Sequence, residues 1–126
     1  MLLPCEIAVK FVLPSVRAAI ATRLISNYGL KQMDAAKLLG ISQPAISLYT
    51  RRLRGGKLHL EDYPDLTDAI DKLAGMLVNG YSNFNSFVEE FCRICRLIKS
   101  KGLLCSFHKL LDSNIDASRC DICKCI

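Results

Sequence analysis

Cysteine is the residue type in this sequence with the widest capacity for chemistry. Six of the seven cysteines follow residue 90, in the pattern C-x2-C-x9-C-x14-C-x2-C-x-C that begins at Cys92. Because thiolates bind zinc and iron–sulfur clusters strongly, these cysteine pairs predict a metal centre. The odd number of cysteines argues against a disulfide scaffold. The candidate ligands are Cys92, Cys95, Cys105, Cys120 and Cys123, and their spacing does not select four of them.

The identity of the metal depends on the separation of the two C-x-x-C pairs. Four thiolates around one Zn2+ would form a closed structural site. The pairs are separated by 24 residues, which exceeds the roughly 15 to 20 residues common in zinc ribbons. Ligation by cysteine alone, with spare thiols, suits an iron–sulfur cluster, so we expect a cluster and keep Zn2+ as the alternative. Two other interpretations stay open, a buried apolar role for Cys95 and a disulfide between the pairs.

A second kind of chemistry, the recognition of DNA bases, is indicated by the segment QMDAAKLLGISQPAISLYT at residues 32–50. Two short helices that cross at a sharp angle need a small residue at their contact and a turn residue that tolerates positive φ. Ala36 and Gly40 meet these needs. Apolar residues that would hold the two helices together are Leu39, Ile41, Ile46 and Tyr49. This spacing is typical of a helix-turn-helix.

The second helix of such a motif reads bases in the major groove with its first residues. Gln43 can pair with adenine, Ala45 can contact a thymine methyl group, and Ser42 or Ser47 can reach a base or a phosphate. Gln32 begins the preceding helix eleven residues before Gln43, and we expect it beside a backbone phosphate. The residues predicted to contact DNA in this motif are Gln32, Ser42, Gln43, Pro44, Ala45 and Ser47.

The charge distribution supports a polyanionic partner for the first half of the chain. Residues 1–60 contain nine Lys or Arg against two Asp or Glu, a net charge of +7, whereas residues 61–126 contain eight against ten, a net charge of −2. Four basic residues lie at and just after the end of the predicted recognition helix, where it would meet the sugar–phosphate backbone. The predicted phosphate contacts are Arg51, Arg52, Arg54 and Lys57.

The helix-turn-helix segment resembles that of the lambda-repressor/Cro (XRE-type) family. The matching positions are Gln32, Ala36, Gly40, Gln43 and Ile46. The resemblance implies a compact helical DNA-binding domain that acts as a dimer on a pseudo-palindromic operator. The whole chain is also similar to archaeal predicted transcriptional regulators that open with a PCE segment, continue with an LPxxRAAxA helix and end in a cysteine cluster. The positions that carry this similarity are Pro4-Cys5-Glu6, Leu13-Pro14, Arg17-Ala18-Ala19 and Cys92-x2-Cys95.

The hydrophobic periodicity is helical almost throughout, which predicts an all-α fold: a lambda-repressor-like helix-turn-helix domain of about five helices with a cysteine-rich C-terminal extension. Glycine and proline positions set the expected helix limits. The expected helices run from Pro14 towards Gly29, from Gln32 to Leu39, from Gln43 to about Arg52, from Leu66 to Val78 and from about Asn83 to Lys101, with a short helix or turn around 104–111.

The last long helix has an apolar stripe with two interpretations. Its positions are Phe84, Phe87, Val88, Phe91, Cys95 and Ile98. The simpler interpretation places Phe84, Phe87, Val88 and Phe91 in the core of one subunit. In the other interpretation, the stripe and the preceding helix pack against a second subunit. We expect a homodimer, because a regulator that reads two half-sites needs two recognition helices.

The sequence therefore predicts residues 1–60 as the DNA-binding region and residues 61–126 as a dimerisation region with a metal-binding segment. The predicted function is a sequence-specific regulator that binds double-stranded DNA, with a cysteine-ligated iron–sulfur centre that senses redox state or oxygen and modulates the dimer. The alternative is a helical protein-interaction module with a structural zinc site. Common enzyme motifs are absent, so we expect no enzymatic activity. Neither a membrane span nor a secretory signal is expected, which points to the cytoplasm.

Overall fold

The computed structural model describes residues 3–51, 60–80 and 84–104, and the secondary structure in these ranges is helical. The predicted all-α fold class is therefore confirmed. Short π- and 3-10-helical segments join six α-helices within the described ranges. In chain order they are α1 (Pro4–Ile7), a π segment (Ala8–Val12), α2 (Leu13–Ser26), α3 (Gln32–Leu39), α4 (Gln43–Thr50), a 3-10 turn (Leu60–Asp62), α5 (Pro64–Asn79) and α6 (Phe84–Ser100).

The N-terminal helix differs from the sequence prediction because the chain is already helical before Pro14. Proline has no N–H and its ring crowds the carbonyl one turn earlier, so it interrupts regular α-helical bonding. The backbone accommodates Pro14 by widening over the π segment, where the Leu13 N–H donates to the Ala8 carbonyl. Helix α2 begins at Leu13 with Pro14 in its first turn, within one residue of the prediction, but the widened turn lets α1 continue into α2, which the sequence did not predict.

The predicted limits of α3 are confirmed, and Gly40 is the reason that this helix ends where it does. Gly40 has a φ of 68°, a backbone conformation that favours glycine. Its left-handed turn lets the Ile41 N–H donate to the Ala36 carbonyl at 3.1 Å. This bond satisfies a helix-end acceptor and turns the chain towards α4.

The core is formed by one continuous set of side chains from both halves of the chain. Helix α2 packs against α3, α4 and α5, and α6 packs against α5 and the π segment. Arg23 of α2 and Asp71 of α5 form an ion pair at 2.7 Å across one of these contacts. The largest fully buried side chains include Ile7, Val16, Ile20, Leu24, Ile46, Leu66, Ile70, Leu73, Ile94 and Ile98.

Two ion pairs join α5 to α6 and to the residue directly after it, and they lower the pKa of their carboxyl groups. Lys72 Nζ lies 2.8 Å from Glu90 Oε1, and this hydrogen bond holds the pKa of Glu90 below its usual value. Lys101 Nζ lies 2.9 Å from Asp65 Oδ2, and it lowers the pKa of Asp65 in the same way. The pairs lie near the middle and the C-terminal end of α6, which is consistent with antiparallel packing of α6 on α5.

Only part of the apolar stripe of α6 is buried in the core, and the rest is exposed. Ile98 is fully buried, and Phe87, Phe91 and Cys95 are partly buried against the core. Phe84 is 65% exposed and Val88 is 37% exposed, so the simpler of the two interpretations, which places them in the core, is wrong for these two residues. Helix α5 and the π segment pack on α6 but leave Phe84 and Val88 exposed.

Candidate nucleic-acid interface

Helix α4 is held by one side and exposed on the other. Ile46 is fully buried and Tyr49 is almost so, and they lie on the side of α4 that packs on α2 and α3. Pro44 and Gln43, in the first turn of α4, are exposed. Apolar residues three apart thus fix the orientation of α4, and this leaves its first turn accessible to a large partner.

Gln32 and Gln43 are brought together by the turn between α3 and α4. Each is the first residue of its helix, and Gln43 Nε2 donates a hydrogen bond to Gln32 Oε1. The sequence spacing of eleven residues predicts that the two lie near each other, but the direct bond was not predicted. The bond limits the positions that the exposed Gln43 amide can adopt.

Ser42 forms the N-terminal cap of α4. Its Oγ accepts a hydrogen bond from the Ala45 N–H at 3.3 Å, and its backbone is extended. This arrangement satisfies one of the unpaired amides at the start of the helix. Pro44 follows in the first turn, as predicted, where its missing N–H breaks no helical bond. Ser42 therefore has a structural role in addition to any contact with a partner.

The remaining predicted contacts within α4 are less accessible than its first turn. Ala45 and Ser47 are half-buried. Arg51, just after the helix, is exposed, and its Nε donates to the Ser47 carbonyl at 3.3 Å. The guanidinium thus lies against the C-terminal end of α4, where positive charge is favourable. Three predicted phosphate contacts, Arg52, Arg54 and Lys57, lie outside the described residues.

The structure adds two basic residues that the sequence prediction did not include in the site. Lys31 is exposed at the N-cap of α3, next to Gln32, and Lys37 is exposed near the other end of the same helix. The N-terminus of a helix favours anions, and Lys31 adds a full positive charge there. The signal was present in the sequence, because Lys31 directly precedes the predicted start of the helix-turn-helix.

Two of the predicted metal ligands lie in the described part of α6. Cys92 is exposed and Cys95 is half-buried, three residues further along. Within residues 3–51, 60–80 and 84–104, no three His, Cys, Asp or Glu side chains come together that could hold a metal ion. The other predicted ligands, Cys105, Cys120 and Cys123, lie outside these ranges.

No protein-family model, no curated protein and no solved structure matches the chain. Among the described helices, none combines the length and the apolar character needed to cross a membrane.

Proposed function

We propose that the protein is a sequence-specific DNA-binding regulator that places the first turn of α4 in the major groove. The observation that carries this proposal is the exposed first turn of α4, with Gln43 bonded to Gln32 and the opposite side of the helix buried. An exposed helix start that is anchored through its other side is what base recognition requires.

The hydrogen-bonding capacity of Gln43 fits a base contact. Its amide nitrogen has two N–H donors, one of which is directed at Gln32. The second donor and the amide oxygen match adenine N7 and N6, so the bond to Gln32 and a bidentate contact with adenine are compatible. Gln32 in turn has N–H donors of its own, which suit a phosphate oxygen.

Exposed positive charge is present at both helices of this segment. Lys31 is the N-cap residue of α3, Lys37 lies on α3, and Arg51 follows α4. The sequence continues with Arg52, Arg54 and Lys57. Such residues neutralise phosphates and release counterions, which supplies affinity without sequence preference. In the proposal they position the duplex, and Gln43 selects its sequence.

The proposal includes a metal centre that uses Cys92 and Cys95. Two thiols three residues apart on a helix lie on neighbouring positions of its surface, as two ligands of one metal do. Further ligands would come from Cys105, Cys120 and Cys123, with an iron–sulfur cluster favoured over Zn2+. The centre would adjust the spacing of two recognition helices in a homodimer. Anaerobic purification should give a protein with visible absorption and bound iron, whereas a colourless protein with stoichiometric zinc would remove the sensory role.

Selection from a pool of randomised duplexes tests base recognition. The full chain is incubated with the pool, and bound duplexes are recovered and sequenced. We expect a shared motif with two inverted half-sites, because a symmetric dimer presents two recognition helices. Recovery of duplexes without a shared motif would overturn base recognition, and it would favour a helical module that docks a protein partner.

A further inference from the structure

Cys92 and Cys95 each have a basic residue one turn further along α6. Arg96 follows Cys92 by four residues, and Lys99 follows Cys95 by four residues. Residues four apart are neighbours on the surface of a helix, and long side chains point back towards the helix N-terminus. The helix therefore directs each of these two positive charges towards one of the two thiols.

These two basic residues lack an acidic partner among the described residues, whereas the other basic residues of the same segment have one. Arg93 lies 3.5 Å from Glu90, and Lys101 forms its ion pair with Asp65. Between residues 93 and 101, the positive charges that are not neutralised within the described ranges are therefore the two that follow the cysteines by one turn.

Lys99 gives the stronger indication of a negative charge at the thiols, because it is only 8% exposed. A positive charge that is largely withdrawn from solvent is costly unless a negative charge lies near it. No described carboxylate pairs with Lys99, and its helical position places it beside Cys95. Arg96 is exposed, so its charge is better screened by solvent.

We propose that Arg96 and Lys99 stabilise the net negative charge of a metal–thiolate centre at Cys92 and Cys95. Two thiolates only cancel the charge of a divalent ion, and each further thiolate adds a negative charge. Iron–sulfur clusters held by four thiolates are likewise negative. Two uncompensated cations therefore indicate a centre with at least one more thiolate, supplied by the cysteines after residue 104.

This inference rests on the metal centre of the proposed function, and it adds the sign of the charge on that centre and the residues that compensate it. It holds for Zn2+ and for an iron–sulfur cluster alike. The test therefore uses Co2+ alone as the probe, with the reduced full chain under anaerobic conditions. The visible absorption of Co2+ bound by thiolates reports binding directly and does not depend on DNA.

Co2+ titrations of matched charge-removal variants measure the contribution of each cation. Lys99→Met keeps the apolar length of a buried side chain, and it should raise the Co2+ dissociation constant about tenfold or more. Arg96→Gln should raise it about two- to fivefold, because an exposed charge is more strongly screened. Arg93→Gln is the control, since the charge of Arg93 is already paired with Glu90, and it should change the constant by less than about twofold.

Two further measurements distinguish a charge effect from a packing effect. Arg96→Lys keeps the positive charge and should bind Co2+ within about twofold of the wild type. The weakening by Arg96→Gln should shrink as salt concentration rises, because salt screens an exposed charge. A weakening that is the same at every salt concentration would contradict the electrostatic role of Arg96.

The outcomes separate this inference from the metal centre on which it rests. Wild-type affinity for Co2+ in the Lys99→Met and Arg96→Gln variants would overturn the inference and leave the centre in place. Equal weakening by Arg93→Gln would also overturn it, because the effect would then not belong to the unpaired charges. No thiolate-bound Co2+ in the wild type would overturn the centre and the inference together.

Discussion

At the scale of a single residue, the side-chain amide of Gln43 is hydrogen-bonded to Gln32 and is also exposed, so that a partner can reach it. The bond to Gln32 restricts a flexible side chain before any partner arrives. A restricted side chain loses less conformational entropy on binding, so the same contact contributes more to affinity. The basic residues proposed to contact phosphates need no such restraint, because a long-range charge interaction depends weakly on side-chain geometry.

A pair of substitutions separates base recognition by Gln43 from the phosphate contact proposed for Arg52. Gln43→Ala should cost about 1 to 3 kcal/mol of discrimination at one base pair of the preferred duplex, because one bidentate contact is lost. Arg52→Ala should weaken binding to all duplexes alike and should lower the slope of log affinity against log salt by about one unit. Fluorescence anisotropy with matched and mismatched duplexes measures both effects. Equal losses on specific and random duplexes for Gln43→Ala would contradict its role.

At the scale of elements, the turn between α3 and α4 determines whether Gln32 and Gln43 meet. Gly40 is the residue on which this turn depends, and the space around it is open, with nothing within 4 Å of an added Cβ. The positive φ of Gly40, and not a lack of space, is therefore the reason that this position favours glycine. Gly75 in α5 presents the opposite case, since it has ordinary helical surroundings and the Tyr28 hydroxyl lies 3.4 Å from an added Cβ.

These two glycines predict stability changes of opposite sign. Gly40→Ala should lower the free energy of unfolding by about 1 to 2 kcal/mol, because a side chain is disfavoured at positive φ. Gly75→Ala should raise it by up to about 1 kcal/mol, because alanine favours the helix and the half-exposed Tyr28 can shift. Urea denaturation followed by circular dichroism measures both. A stabilising Gly40→Ala would show that the turn is not rigid.

The elements that sequence reasoning predicts well are those with local signals. Gly40, Ser42 and Pro44 mark the end of α3 and the start of α4, and the structure agrees with both. Pro14 lies in the first turn of α2, as predicted, but the chain before it is already helical and joins α2 through a widened turn. Local sequence does not encode that widening, which depends on the helix before Pro14 continuing into α2.

The parts of the site that sequence reasoning missed depend on distant residues. The apolar stripe of α6 is visible as a pattern, but only the positions of α5 and the π segment show that Phe84 and Val88 remain exposed. Similarly, Lys72 and Glu90 are 18 residues apart and become neighbours only when α5 and α6 pack together. The bond between Gln32 and Gln43 is an intermediate case. The spacing of eleven residues is visible in the sequence, but the bond forms only because the turn between α3 and α4 brings the two side chains together.

At the scale of the whole molecule, one core connects α3 and α4 to α6 through α2 and α5. The contact between α5 and α6 includes two carboxyl groups, on Glu90 and Asp65, whose pKa values are lowered by lysine partners. A carboxyl group with a lowered pKa in the folded state stabilises the fold above its unfolded pKa. That stabilisation is lost as the pH falls through the lowered value.

Acid should therefore weaken this connection, and Glu90 provides the test. The reference pKa of Glu90 is 4.5, so its contribution is present near pH 7 and decreases below about pH 4.5. Glu90→Gln should be less stable than the wild type at pH 7, and the difference should shrink towards pH 3. Urea midpoints across this range measure it, with Asp68→Asn on α5 as the control. A constant difference at every pH would show that the ion pair contributes nothing.

The most direct test of DNA recognition by α4 is an anisotropy titration of the full chain. A labelled duplex that carries the selected motif is compared with one of the same composition in permuted order, at two salt concentrations. The account predicts at least about a thousandfold tighter binding to the selected duplex, with affinity for both duplexes falling as salt rises. Equal affinity for the two duplexes, or no binding at low salt, would contradict it.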